Sequence, residues 1–161
     1  HIRRLLIRAA QQKTIPIVHY NDPVSDEENR KMELAIRRSH GDQVVECVDN
    51  DETAAVIANL VHAKKLVLMT STEGIYRDPT DPKTLVEQVT AKSMEELEEK
   101  VRQLQESCVG ASRAGANGAK AKLEYALKTA RQGTMVIIGH ARHRLSDLVE
   151  GRVACTRIGL E

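Results

Sequence analysis

The chain contains no phenylalanine and no tryptophan, and only three tyrosines. Any core it builds must therefore be aliphatic. The scarcity of rings also argues against a nucleic-acid surface, because single-strand and RNA readers stack bases on exposed aromatics. Neither sign of charge is in excess: 24 basic and 23 acidic side chains leave a net charge of +1. That removes the electrostatic case for DNA or for a membrane surface. The three cysteines, Cys47, Cys108 and Cys155, are far apart and odd in number. This usage suits free thiols in a reducing compartment better than a disulfide framework or a zinc site. No apolar run approaches the length of a membrane span, and no stretch resembles a signal peptide. What is present is a 161-residue chain with 41% hydrophobic residues, enough for a core. The expectation is a soluble, cytoplasmic α/β domain that is a single unit or part of one.

The segment Lys65–Pro79 organises the rest. Leu66–Met69 is an apolar run that stops at Thr70-Ser71-Thr72, then passes through Gly74 and Tyr76 to Asp78-Pro79. The run reads as a short strand buried on both faces. Ligands of open α/β sheets bind beyond the carboxyl ends of strands, so its polar end is a candidate site wall.

In chain order, Ile2–Gln12 has helical spacing, with Ile2, Leu5, Leu6 and Ala9 on one face. Opening in mid-helix without a cap, it reads as the start of a fragment. Thr14–Tyr20 reads as an extended segment ending in the turn Asn21-Asp22-Pro23. The charged residues 25–42 read as a mobile hairpin or lid. Gln43–Val48 is expected to be a strand, followed by a helix from Asp51 with Asn50 or Asp51 as its N-cap. Leu85–Thr90 is read as another strand. A helix follows from a capping box at Ser93 and Glu96 to about Cys108. Gly110–Gly118 is a loop, Ala119–Arg131 a helix stopped by Gly133, and Thr134–Gly139 a second buried strand. Leu145–Glu150, ended by Gly151, is a short helix, and Cys155–Leu160 a final strand. Alternating strands and helices predict a three-layer α/β/α sandwich around a mostly parallel sheet.

The glycine-rich loop leads into a helix carrying Lys120 and Lys122. Helix amides together with a lysine suit a phosphate. The spacing matches neither GxxxxGK[ST] nor GxGxxG, so by itself the loop reads more readily as a plain connection than as a phosphate site. Asp49-Asn50-Asp51 is either a helix cap or a grip for an ammonium group. His19, His62, His140 and His143 lack metal-ligand spacing, and His140–Arg144 reads as an exposed basic loop. No GxSxG nucleophile elbow occurs.

Taken in order, Ile15–Val24, Val48–Asp51, Leu66–Pro79, Gly115–Lys122 and Gly151–Ile158 resemble motifs of the amino acid kinase family. Within it they are most similar to the branch that phosphorylates glutamate at the head of proline synthesis. The interval from Asp51 to Thr70 also matches the family's. The resemblance covers nearly the whole chain. It implies the amino acid kinase (carbamate kinase-like) fold, carboxyl-terminal half only, and transfer of the ATP γ-phosphoryl group to a carboxylate with Mg²⁺ bridging the phosphates. Lys122 would neutralise the transferring group, and Asp51 would orient catalytic lysines. Asn21, Asp22, Asp49 and Asn50 would hold the amino acid. Thr70, Ser71, Tyr76, Asp78, Gly115, Ala116, Asn117, Gly118, Lys120 and Lys122 would line the nucleotide. No protein metal ligand is expected. The resemblance further implies a small-molecule substrate, no nucleic-acid or membrane partner, and a homo-oligomer.

There are departures. Tyr20 and His19 replace the family's glutamate and the asparagine before it, Ser71 replaces an aspartate, and GANGA replaces GTGGM. The half carrying a glycine-rich phosphate loop and another catalytic lysine lies outside the resemblance, so the chain alone is expected to be inactive. Two alternatives remain open: a degenerate nucleotide- or effector-binding member, and a kinase of the same fold acting on UMP, carbamate or acetylglutamate.

Overall fold

Four apolar segments pair into one sheet, and helices cover both of its faces. The computed structural model describes residues 2–18, 50–78, 80–107 and 118–161. The chain divides into two compact units, His1–Thr53 and Ala54–Glu161.

In the first unit, α1 spans Ile2–Gln11. It ends where Lys13 turns left-handed (φ 57°) and the Thr14 amide and hydroxyl both donate to the Ala9 carbonyl at 3.0 Å. No strand forms over Thr14–Val18. The expected hairpin at residues 25–42 and the expected strand Gln43–Val48 lie outside the described residues. The helix that follows, α2, spans Asn50–Val61. It begins at Asn50, so Asn50 and Asp51 occupy its first turn, and the expected capping role of either is corrected.

The second unit holds the sheet. Its strands are β1 (Lys65–Thr70), β2 (Gln88–Ala91), β3 (Met135–His140) and β4 (Cys155–Leu160). Their order is β1-β3-β4-β2. β1 pairs parallel with β3 and β2 parallel with β4, while β3 and β4 are antiparallel. The sheet is thus two parallel pairs joined through an antiparallel centre.

The residues explain the order. Val136, Ile137 and Ile138 have no exposed surface, as a fully covered strand requires. β1 has one neighbour among the described residues and leaves Met69 46% exposed. Its expected burial on both faces is corrected, because an outer strand leaves part of its surface uncovered. β2 starts three residues later than the sequence pattern suggests. Pro82–Thr84 forms a 3-10 turn capped by Asp81, and Leu85 is drawn into an isolated antiparallel bridge with Tyr76.

Side chains alternate across the sheet. Leu68, Val89, Val136, Ile138 and Ile158 face one core with α3 (Met94–Ser107) and α4 (Ala119–Ala130), through Leu97, Val101, Leu123 and Ala126. Ile137 and Cys155 face a second, smaller core with Leu148 of α5 (Leu145–Glu150). The three-layer expectation holds. α3 starts as foreseen: the Glu96 amide donates to Ser93 Oγ at 3.2 Å, although the Glu96 carboxylate accepts from the Lys92 amide. α5 sits close because Gly139 leaves room; a Cβ there would lie 2.3 Å from Leu148 Cδ2. Its carboxyl-terminal carbonyls accept from Lys65 and Arg157, cations placed where the helix dipole favours them.

Candidate functional site

β1 and β3 run parallel and end together, with Thr70 opposite His140. The crevice beyond such paired carboxyl ends is where α/β sheets place ligands. On the β1 side the chain leaves through a hydroxyl-built turn. Thr70 Oγ1 accepts from the Thr72 amide at 2.9 Å, and Thr72 Oγ1 donates to the Gly74 carbonyl at 3.1 Å. Ser71 is exposed at the tip.

This wall is fastened from below by Thr156 of β4, which has no exposed surface. Its hydroxyl accepts from the Ile75 amide at 2.8 Å and donates to the Val86 carbonyl at 2.7 Å. Gly74 is required here: a Cβ would stand 2.3 Å from Thr156 Oγ1 and 2.9 Å from the Thr156 amide nitrogen. Tyr76 is half-buried beside Leu85. Asp78 Oδ1 accepts from the amide and hydroxyl of Thr80 at 2.9 and 2.7 Å. Those bonds, the hydroxyl's foremost, lower the Asp78 pKa, so one of its oxygens is committed within its own turn.

The helix α4 approaches the same end of the sheet. It packs on β3 and β4, and the tight turn Arg131–Thr134, with Gly133 at φ 81°, reverses the chain into β3. A helix that reverses into its following strand lies antiparallel to it, so the amino end of α4 stands where β1 and β3 finish. Gly118 is its N-cap and contributes no side-chain bond. Lys120 is exposed and Lys122 half-buried in the first turn. Thr70, Ser71, Gly118, Lys120 and Lys122 are therefore brought to one end of the sheet. Asn50 and Asp51 lie in the other unit, in the first turn of α2. Asn21, Asp22, Asp49, Gly115, Ala116 and Asn117 lie outside the described residues.

The structure also assembles a cluster that sequence reasoning missed. Glu73 Oε2 is 2.6 Å from His143 Nε2, and its other oxygen pairs with Arg142. The Arg142 amide donates to His140 Nδ1 at 3.1 Å, and the two imidazoles meet edge to face at 6.3 Å. Only 16% of the Glu73 side chain and 20% of that of His143 are exposed. Burial pushes the Glu73 carboxyl up, but the His143 hydrogen bond and the Arg142 charge outweigh it and the net pKa is lowered. His140–Arg144 is exposed at Ala141, Arg142 and Arg144, as the sequence suggests, but not at its histidines. Its histidines are half-buried and tied to the β1 wall, because β3 delivers them beside Glu73. The partners are some seventy positions apart in the chain, and no local pattern joins them.

Residues 1–140 match the model of the amino acid kinase family. The chain belongs to that family. A glutamate 5-kinase of Gloeobacter violaceus is 30% identical over 151 residues, covering 91% of this chain and 35% of that protein. An acetylglutamate kinase of Methanopyrus kandleri is 46% identical over 59 residues, 37% of this chain and 24% of that one. Among solved structures, the carbamate kinase of Giardia lamblia bound to AMP-PNP superposes with a TM-score of 0.53 at 17% identity, covering 74% of this chain and 36% of that one. The sheet and its helices are thus part of an amino acid kinase fold. The chain spans about a third of the length of the glutamate 5-kinases it matches.

Proposed function

We propose that this chain is the nucleotide-binding part of an ATP-dependent kinase that phosphorylates the carboxylate of a small amino acid, as a glutamate 5-kinase does. The observation that carries the reading is the convergence at one end of the sheet. There the hydroxyl turn after β1, fixed by Thr156, shares the end of the sheet with the glycine-capped amino end of α4 and its two lysines. Hydroxyl and backbone donors, a helix dipole and ammonium groups together suit a polyphosphate.

ATP would supply the phosphoryl group, and this chain's residues would position and neutralise it. Thr70, Ser71 and the first turn of α4 would hold the phosphates, with Lys122 taking the charge that builds on the transferred group. Mg²⁺ would be held mainly through phosphate oxygens and water. Asp51, in the first turn of α2, would orient the lysines. Asn50, with the residues before it, would face the amino acid.

Calorimetric titration of Mg-ATP into the chain is expected to give saturable heat, with affinity lowered about tenfold in Lys122→Ala, as expected for a lost charge-assisted contact. No heat at millimolar ATP, or unchanged affinity in the variant, counts against the reading. A second reading, a family member that binds nucleotide without catalysis, draws on Ser71, which carries no charge where the family resemblance places an aspartate. Glutamate-dependent ADP release by the full-length protein separates the two.

A further inference from the structure

A cavity of about 310 Å³ opens on the face of the sheet that carries α5, between the entries of β2 and β4. α5 packs on β1 and β3, and the cavity occupies the β4–β2 side of that face. One of its walls is Arg157. Nη2 of this guanidinium donates to the Leu148 and Val149 carbonyls, each at 3.0 Å. Gly151 allows that seat: its φ is 72°, and a Cβ would stand 2.9 Å from Arg157 Nη2. The charge is therefore fixed in position, yet no carboxylate among the described residues pairs with it, and Nε and Nη1 have no protein acceptor there. The neighbouring Arg152 differs, being ion-paired to both Asp147 and Glu150.

Gln88 is the cross-strand partner of Arg157 in the β2–β4 register. Paired residues share a face, so its side chain stands beside Arg157 and lines the same cavity. Its amide makes no hydrogen bond with the described residues. Val153, Ala154 and Cys155 supply an apolar wall. Glu87 also lines the cavity and has no ion pair among the described residues.

We propose that this cavity is a binding site for a small monocarboxylate. One carboxylate oxygen accepts from Arg157 Nη1 and the other from the Gln88 amide, with a short aliphatic tail on Val153–Cys155. A cation already held by backbone carbonyls needs no reordering to receive an anion, which favours binding. The cavity lies at the same end of the sheet as the exits of β1 and β3, because Cys155 pairs with Gly139, but on the α5 face rather than the face that carries α4, and the inference uses none of the residues assigned to the nucleotide.

Titration of the full chain with isobutyrate, followed by ¹⁵N-edited NMR at the Arg157 Nε–H and the Gly151 amide, tests it. Saturable shifts are expected in the millimolar range, with none from isobutyramide, which has the same shape without the charge. Arg157→Lys keeps a cation for the helix carbonyls but removes Nη1, and is expected to weaken binding about tenfold. Gln88→Leu, at an exposed position that leaves the fold intact, is expected to weaken it severalfold. Absence of saturation, equal shifts with isobutyramide, or binding indifferent to both substitutions would overturn the proposal. Tighter binding of inorganic phosphate than of isobutyrate would overturn its ligand class.

Discussion

Two side chains hold the β1 wall, and each makes a distinct prediction. Thr156 satisfies a buried amide and a partly buried carbonyl from two different segments through one hydroxyl. Valine has the same shape but leaves both groups unpaired, at a cost of about 2–4 kcal/mol. Urea unfolding of Thr156→Val is expected to show that loss, together with weaker nucleotide binding if the wall is the proposed one. Glu73 acts through charge. Its folded-state pKa lies below the ordinary glutamate value, so the ionised form is the one the fold favours. The stabilisation is fully present above the unfolded value and disappears as pH falls through the folded one. Urea midpoints measured from neutral pH down through the carboxylate range are expected to separate wild type from Glu73→Gln at neutral pH and to converge in acid.

At the scale of the element, α5 is the clearest case of a short helix held by its neighbours. Six residues cannot sustain a helix on propensity. Leu148 is fully buried against Gly139 and Ile137, and two cations occupy its carboxyl end. Leu148→Ala is expected to cost about 2–5 kcal/mol in denaturant unfolding. It should also expose the Cys155 thiol beside it to alkylation.

This region was also the most legible in the sequence. Gly151 punctuates the end of α5, and α5 and β4 fall at their expected residues. β2 was less legible, because Leu85 and Val86 carry the apolar signal of a strand but are taken up by contacts with Tyr76 and Ile75. Strand direction is not written in local periodicity at all. The antiparallel junction between β3 and β4 follows only from how the α5 connection turns. For the site, hydroxyls and lysines announced themselves by type and spacing. Glu73, His143 and Thr156 did not, since each acquires its role from a partner some seventy or eighty positions away.

Across the whole molecule, coverage sets local stability. β3 is flanked by β1 and β4 and buried on both faces, whereas β1 and β2 are the outer strands among the described residues. Hydrogen exchange is expected to be slowest at the amides of Val136–Gly139 and faster in β1 and β2, because inner, doubly covered strands open only with the whole unit. Faster exchange in β3 than in β1 would contradict the coverage argument.

The position of β4 has a consequence for biosynthesis. It follows all the other strands in sequence yet lies between two of them, β3 and β2. While the chain emerges from a ribosome, β2 leaves the exit tunnel long before the strand it pairs with. It must wait while α3, α4, β3 and α5 are made. A nascent chain stalled before Cys155 presents two open strand edges at once, on β2 and on β3, with the pocket for Ile158 unfilled. Unpaired edges of that kind invite aggregation. β1 and β3 can pair before β4 emerges, but β2 joins the sheet only in one late step, and chaperone demand should peak just before β4 emerges.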